Sequence, residues 1–224
     1  MNLALRTLKS SVFGLIMVGL LLFVPAGTFD YWQGWLFIAV FTASTTLISL
    51  YLAAKDPALL ERRLRAGPGA ETRPLQKRLM QLMLLSFMGI AIISALDVRF
   101  GWSHVPAWVS LLGELLVVLG LLITVLVFRE NTYTASTVRT MEGQTVISTG
   151  PYALVRHPMY VGVLVMTVGS APALGSYWTL LFLLAVVPIL MLRTRDEEAL
   201  LRTELPGYDA YAQKVRYRLL PGLW

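Results

Sequence analysis

Two short stretches hold most of the residues able to do chemistry. The first is STGPYALVRHPMYVG, residues 148–162; the second is RTRDEE, residues 193–198. In the first, Pro158 fits the opening position of a helix, which sets His157 at the helix N-terminus and Tyr160 one turn inside. Free backbone N–H groups beside an imidazole and a phenol suit an anionic or polar small ligand. The same residues also suit a membrane interface, with Arg156 and His157 at headgroup level and Tyr160 in an aromatic belt. In the second stretch Arg193 and Glu197 are i,i+4 neighbours, a spacing equally at home on a solvated helix. What links the two is the apolar sequence between them. Pro172 and Gly175-Ser176 divide it into arms 158–174 and 176–192, a helical hairpin that returns residue 193 beside residue 157. Arg156, His157, Tyr160, Arg193 and Glu197 are then expected to cluster at one surface. A carboxylate suits an amine, an arginine or helix end suits an acid, and a tyrosine or histidine suits a base or ribose. Together they fit a zwitterion carrying a ring.

The elements that must position these groups are membrane helices. Of 224 residues, 56% are hydrophobic and 14% charged, and the mean hydropathy is +0.66. Soluble domains carry about 25% charged residues. Four segments approach the roughly 20 apolar residues needed to span a bilayer: 11–29, 32–54, 79–97 and 106–128. The two hairpin arms are shorter and reach only about 25 Å each. The expected fold is all-α, a polytopic membrane helical bundle of about six spans that includes the short C-terminal hairpin. It divides into a four-span N-terminal region, 1–128, and a C-terminal core, 129–224.

The basic residues set the topology. Only Arg99 of the 19 lysines and arginines falls on one side of this arrangement; the N-terminus, the 55–78 loop, the 129–157 segment (Arg129, Arg139, Arg156) and the tail hold the rest. The positive-inside rule places both termini and the polar segments in the cytoplasm. It also accounts for the net charge of +6 without a nucleic-acid partner. The first apolar segment reads as a span rather than a signal peptide, because it is long and a second span follows at once. In the cytoplasmic portion, Glu142-Gly143 and Gly150-Pro151 mark turns around a β-prone triplet, Thr145-Val146-Ile147. Residues 193–205 read as helix until Pro206-Gly207, with a short helix over about 208–216. The 65–74 stretch, RAGPGAETRP, reads as a linker. There are no cysteines. The two histidines, His104 and His157, fall on opposite sides, so no paired-histidine metal site is expected. No dinucleotide or phosphate-loop glycine motif occurs. Glu114, near the start of a span, is either an interhelical hydrogen bonder or a substrate contact.

QTVISTGPYALVRHPMYVG, followed after the hairpin by RTRDEEALL and then YDAYAQKVRYRLLP, resembles the isoprenylcysteine carboxyl methyltransferase family, and more distantly the phospholipid N-methyltransferases. The resemblance covers about residues 129–221. It implies an integral-membrane enzyme that uses S-adenosyl-L-methionine to methylate a lipophilic, membrane-embedded acceptor, in the first case an isoprenylcysteine carboxylate. It further implies cofactor contacts at Thr137, Gln144, Thr145, Val146, Ile147, Tyr152, His157, Pro158, Met159, Tyr160, Glu197 and Glu198, with Glu197 at the amino group. Arg193 corresponds to the arginine at the substrate carboxylate, and Arg193 and Glu197 are the expected catalytic pair. Gln144 departs from the family pattern, which has histidine there. A carboxylate acceptor is ionised at neutral pH and needs positioning rather than a base. An amine acceptor would need a base, for which Glu197 or Glu198 is placed. Two other readings are a sterol-type membrane reductase using a nicotinamide cofactor, and a non-enzymatic scaffold, against which the intact charged motifs argue.

Overall fold

The computed structural model describes residues 3–65, 67–134, 137–138 and 140–224. Eight α-helices are described: α1 (Leu3–Ala26), α2 (Trp32–Lys55), α3 (Pro57–Leu64), α4 (Pro74–Phe100), α5 (Ala107–Glu130), α6 (Pro158–Ala173), α7 (Leu183–Glu204) and α8 (Tyr208–Lys214). Helices α1, α2, α4, α5 and the stretch Trp178–Glu204 containing α7 are each long and apolar enough to cross a membrane. The 16-residue α6 is shorter. The chain is an integral membrane protein built as a polytopic helical bundle. Leu15, Leu20, Leu47, Leu122 and Leu184 are among the large apolar side chains on its outer surface, where a bilayer would cover them.

Several boundaries differ from the expected ones. Helix α1 begins at Leu3, so Arg6 and Lys9 lie within its first turns rather than ahead of it. Helix α4 starts at Pro74 and runs 27 residues, with a polar opening stretch that hydropathy alone excludes. The hairpin arms are unequal. A 3₁₀ turn, Trp178–Phe182, precedes α7, which then continues unbroken through Arg193 to Glu204. The 55–78 stretch is not all loop, because Asp56 caps α3 by accepting from Leu59 N at 2.9 Å and Pro57 supplies its first residue. No strand occurs among the described residues, and Thr145-Val146-Ile147 is irregular.

The bundle has two ends of different character. At one, Arg6 bonds Glu61 at 2.9 Å, and Arg73 bonds Asp196 through two contacts of 3.0 and 2.6 Å. These pairs join the start of α1, α3, the linker and the emerging α7. At the other end, Tyr31 donates to the carbonyl of Leu174 at 2.7 Å. Asp97 accepts there from Ser103 N, Ser103 Oγ and Ser176 Oγ, fastening the α4–α5 turn to the hairpin turn. Arg99 reaches the Pro25 carbonyl at this second end, and His104 lies in the same turn. The basic segments therefore gather at the first end, as the charge pattern requires; Arg139 lies outside the described residues.

Helices α5 and α6 pack closely along an antiparallel seam. A Cβ added at Gly120 would lie 2.5 Å from Gly162 O and 2.8 Å from Met166 N. One added at Gly113 would lie 2.7 Å from Gly169 O and 2.4 Å from Ala173 N. Both helices carry glycine at a spacing of seven, so two backbones touch where side chains would normally intervene. In lipid, where apolar burial gives little drive, such close packing is the main source of helix association. Glu114 sits one residue from the seam. It is 5% exposed, and neither carboxylate oxygen has a hydrogen-bond partner among the described residues.

Gly120→Leu is expected to cost about 3 kcal/mol or more, because the obstacle is backbone. Gly14→Leu, which meets nothing within 4 Å, is the control. Thermal unfolding in detergent reads both; equal transition temperatures would refute the seam. Glu114→Leu is expected to raise the transition, since it removes a buried polar group worth about 1–3 kcal/mol of desolvation.

Candidate active site

A cavity of about 490 Å³ opens where α4, α6 and α7 meet the polar segment that follows α5. One part of its wall is apolar and lies within the spans: Leu79, Met83, Phe87, Val163 and Leu190. Leu84, 49% exposed, belongs both to this wall and to the outer surface of α4. The apolar end therefore reaches the lipid-facing side of the bundle. The other part is polar and aromatic, formed by Asn131, residues 144–147, Tyr152, Tyr208 and Tyr211.

A chain of hydrogen bonds marks the junction of the two parts. Tyr160 Oη donates to Glu197 Oε2 at 2.7 Å and accepts from Arg193 Nε at 3.0 Å. Arg193 Nη2 donates to Glu71 Oε1 at 2.9 Å. Glu71 also accepts from Val138 N at 3.2 Å, and its side chain is 0% exposed. His157 Nδ1 lies 3.7 Å from Glu197 Oε2, and the His157 and Tyr160 rings are parallel within 4° at 5.7 Å. The hairpin thus joins α6 and α7 chemistry as the sequence implies. The linker adds Glu71, which turns Arg193 into one half of a buried pair.

Glu198 faces the other way. It accepts from Arg156 Nε at 2.6 Å and Arg218 Nε at 2.9 Å, and lies 3.3 Å from His157 Nε2. Arg156 also donates to the carbonyls of Val215 and Arg216 at 2.7 and 2.9 Å. The tail closes the arrangement with two backbone bonds, Arg156 N to Tyr217 O and His157 N to Arg218 O. Glu198 is thereby an anchor behind the wall, holding His157 and the tail, and it does not line the cavity.

The polar end has unused hydrogen-bonding capacity. Backbone N–H groups of Thr145, Val146 and Ile147 make no hydrogen bond among the described residues, although Val146 and Ile147 are half-buried. They present an open edge to whatever fills the cavity, where buried backbone groups are normally paired. Gln144 Oε1 closes its own turn by accepting from Met141 N at 3.0 Å, which leaves its amide N–H groups for the cavity. Tyr208 Oη is buried without a partner among the described residues. Tyr152 is fixed by Asn131 Nδ2 at 3.0 Å, and its carbonyl accepts from Tyr211 Oη at 2.8 Å. Burial pushes the phenols of Tyr152, Tyr208 and Tyr211 up, so all three are neutral at ordinary pH. An orphaned hydroxyl, an open backbone edge, aromatic rings and the Glu197 carboxylate fit the hydroxyl, ring and amino groups of S-adenosylmethionine.

Of the residues singled out in the sequence, Thr137, Gln144, Thr145, Val146, Ile147 and Tyr152 all line the cavity. So do His157, Pro158, Met159, Tyr160, Arg193 and Glu197, whereas Glu198 and Glu114 do not. Sequence reasoning missed Glu71, Asn131, Tyr208, Tyr211 and Arg63. Arg63, on α3, stands over the Phe128 ring at 4.9 Å and touches Met159 Sδ at 3.8 Å. Burial lowers it to about 10, so it remains a cation at neutral pH.

Glu71→Leu leaves the Arg193 guanidinium buried without its carboxylate. The expected loss is about 3–5 kcal/mol, with partial recovery in Glu71→Leu/Arg193→Met. A cycle of thermal unfolding measurements checks this; additive losses would show that the pair is not coupled.

Residues 108–205 match the family model described as phospholipid methyltransferase. No curated protein matches the chain. The matched stretch covers less than half of the sequence, yet it runs from α5 into α7 and includes the glycine seam, His157–Tyr160 and Arg193–Glu198. Over these elements the chain is similar to a family of membrane methyltransferases.

Proposed function

We propose that this chain transfers a methyl group from S-adenosylmethionine to a lipophilic acceptor held in the membrane. The observation that carries the reading is one cavity with two unlike ends. Its apolar wall reaches the lipid-facing surface, its polar end suits a soluble cofactor, and Arg193, Tyr160 and Glu197 stand between. The match to the phospholipid methyltransferase family supports the reaction class and speaks for it over the reductase.

When bound, S-adenosylmethionine supplies an electrophilic methyl group on a positively charged sulfur. Glu197 would receive its amino group, Tyr208 and the 145–147 backbone its remaining polar atoms, and Tyr152, Tyr211 and Leu201 its ring. His157 and Tyr160 form the wall nearest the junction. The apolar end excludes water and holds the acceptor's hydrocarbon tail, so the chain acts by positioning and desolvation. The preferred acceptor is an isoprenylcysteine-type carboxylate, oriented at Arg193, which Glu71 holds rigid. The family match favours a second reading, N-methylation of a phospholipid amine, in which Glu197 accepts the proton released. The clustering of basic residues supports a topology with this end of the bundle, and both termini, on the cytoplasmic side.

Calorimetric titration of S-adenosylmethionine into the detergent-purified protein tests the reading. Wild type is expected to bind, Glu197→Ala to lose about ten- to a hundredfold in affinity, and Tyr208→Phe about tenfold or less. Equal affinity in wild type and Glu197→Ala would remove Glu197 from the site. Stabilisation of the wild type by a reduced nicotinamide dinucleotide, with no binding of S-adenosylmethionine, would replace the methyltransferase by the reductase.

A further inference from the structure

Four charged side chains line the cavity among the described residues: Arg63, Arg156, Arg193 and Glu197. Three of them have strong partners. Arg156 bonds Glu198, Arg193 bonds Glu71, and Glu197 accepts from Tyr160. Arg63 has none of that kind. Its side chain meets a thioether sulfur and the face of a phenyl ring, and no carboxylate pairs with it among the described residues. A guanidinium has five N–H donors, and a thioether is a weak acceptor. Phenyl faces attract cations but take no strong hydrogen bond. A half-buried cation so supplied is costly unless something else completes it.

The element that carries Arg63 is firmly built. Leu59 and Leu60 of α3 pack with Leu52, Val127 and Phe128 in one core cluster. Asp56 caps the helix, and Glu61 ties it to Arg6 of α1. Arg63 is therefore held at the wall by packing. It faces the cavity from α3 beside Met159, while Arg193 enters from α7 and bonds Tyr160. Glu71 already offsets the Arg193 charge. Without Arg63, the junction would hold Glu71, Arg193 and Glu197 and would repel an anion.

We infer that Arg63 binds the oxyanion of the acceptor, either the phosphate of a phospholipid headgroup or, together with Arg193, the carboxylate of a lipidated amino acid. Its neighbours fit that task. The acceptor's tail would lie along Leu79, Met83 and Phe87, its charged group would sit at the membrane-interface depth of α3, and the reacting atom would lie toward Tyr160. The inference deepens the methyltransferase reading and rests on it for the word acceptor. Arg63 acts here as a specificity-determining residue, selecting anionic amphiphiles over neutral ones.

Binding to the full chain in an uncharged maltoside detergent tests this with four probes. They are N-acetyl-S-farnesylcysteine, its uncharged methyl ester, lysophosphatidylethanolamine and S-adenosylhomocysteine. Arg63→Met keeps the apolar contacts and, with no carboxylate left unpaired, is expected to fold. It is expected to weaken one or both oxyanion amphiphiles about ten- to a hundredfold and to spare the ester and S-adenosylhomocysteine. Arg63→Lys is expected to restore part of the loss. Which amphiphile responds separates carboxylate from phosphate. Unchanged affinity for both, no binding of either by the wild type, or a fall in S-adenosylhomocysteine affinity would overturn the inference. Failure of wild type to bind S-adenosylhomocysteine would instead strike the methyltransferase reading, while the difference between acid and ester would still report on Arg63.

Discussion

Gly113 and Gly120 of α5 meet Gly169 and Gly162 of α6 so closely that no Cβ fits between the backbones. Everything at the candidate site depends on this register. Helix α6 has only 16 residues, too few to fix its own depth by hydrophobic match. Locking it to α5 sets where its first turn stands, and so where His157, Met159 and Tyr160 stand. The last turn of α5 then delivers Val127 and Phe128 beside Met159, in the cluster that also seats α3. One steric constraint, made of residues with no side chains, positions the residues that carry the chemistry.

The charges around the cavity follow a second rule, that a buried ion must be answered locally. Two glutamates do most of the answering. Glu71 joins Arg193 to the backbone of the polar segment at Val138, and Glu198 joins Arg156, Arg218 and His157. Each bridges elements distant in sequence, so each fixes a wall of the cavity while neutralising it. Neighbouring Glu197 and Glu198 thus have different work because they point to different sides of α7. Glu197 shares its carboxylate with a phenol at the cavity, and Glu198 is consumed by three basic groups behind it.

The membrane class, the end at which basic residues collect and the pairing of α6 with α7 are legible in the sequence. They rest on hydropathy, charge counts and the Gly175 turn, which are local or additive signals. The helical residues that line the cavity are legible too, because the hairpin connects 157 to 193. What escapes is long-range pairing. Nothing in the spacing of Glu71 says that it meets Arg193, and nothing in Tyr208 says that its hydroxyl ends at the cavity. Arg63 hides among seven basic residues whose number is already explained by topology. The glycine seam is visible as two spacings of seven, but the pairing of the two helices becomes evident only when their antiparallel register is known. Strand propensity at Thr145-Val146-Ile147 misleads for a related reason, since an extended segment without a partner strand leaves its backbone open to the cavity.

That open edge, the orphaned Tyr208 hydroxyl and Arg63, which has no carboxylate partner among the described residues, all lie on one cavity, while Glu114, Gln76 Oε1, Ser110 Oγ and Thr194 Oγ1 are unsatisfied away from it. The groups away from the cavity are scattered through the bundle, whereas these three share one cavity, where bound molecules would complete them. Their distribution matters as much as their number. The backbone edge and Tyr208 belong to the polar end, whereas Arg63 stands beside Met159 and Phe128. Two separate sets of unmet groups argue for two molecules meeting end to end, one soluble and one amphipathic. Tyr160, held between Arg193 and Glu197, stands where they would touch.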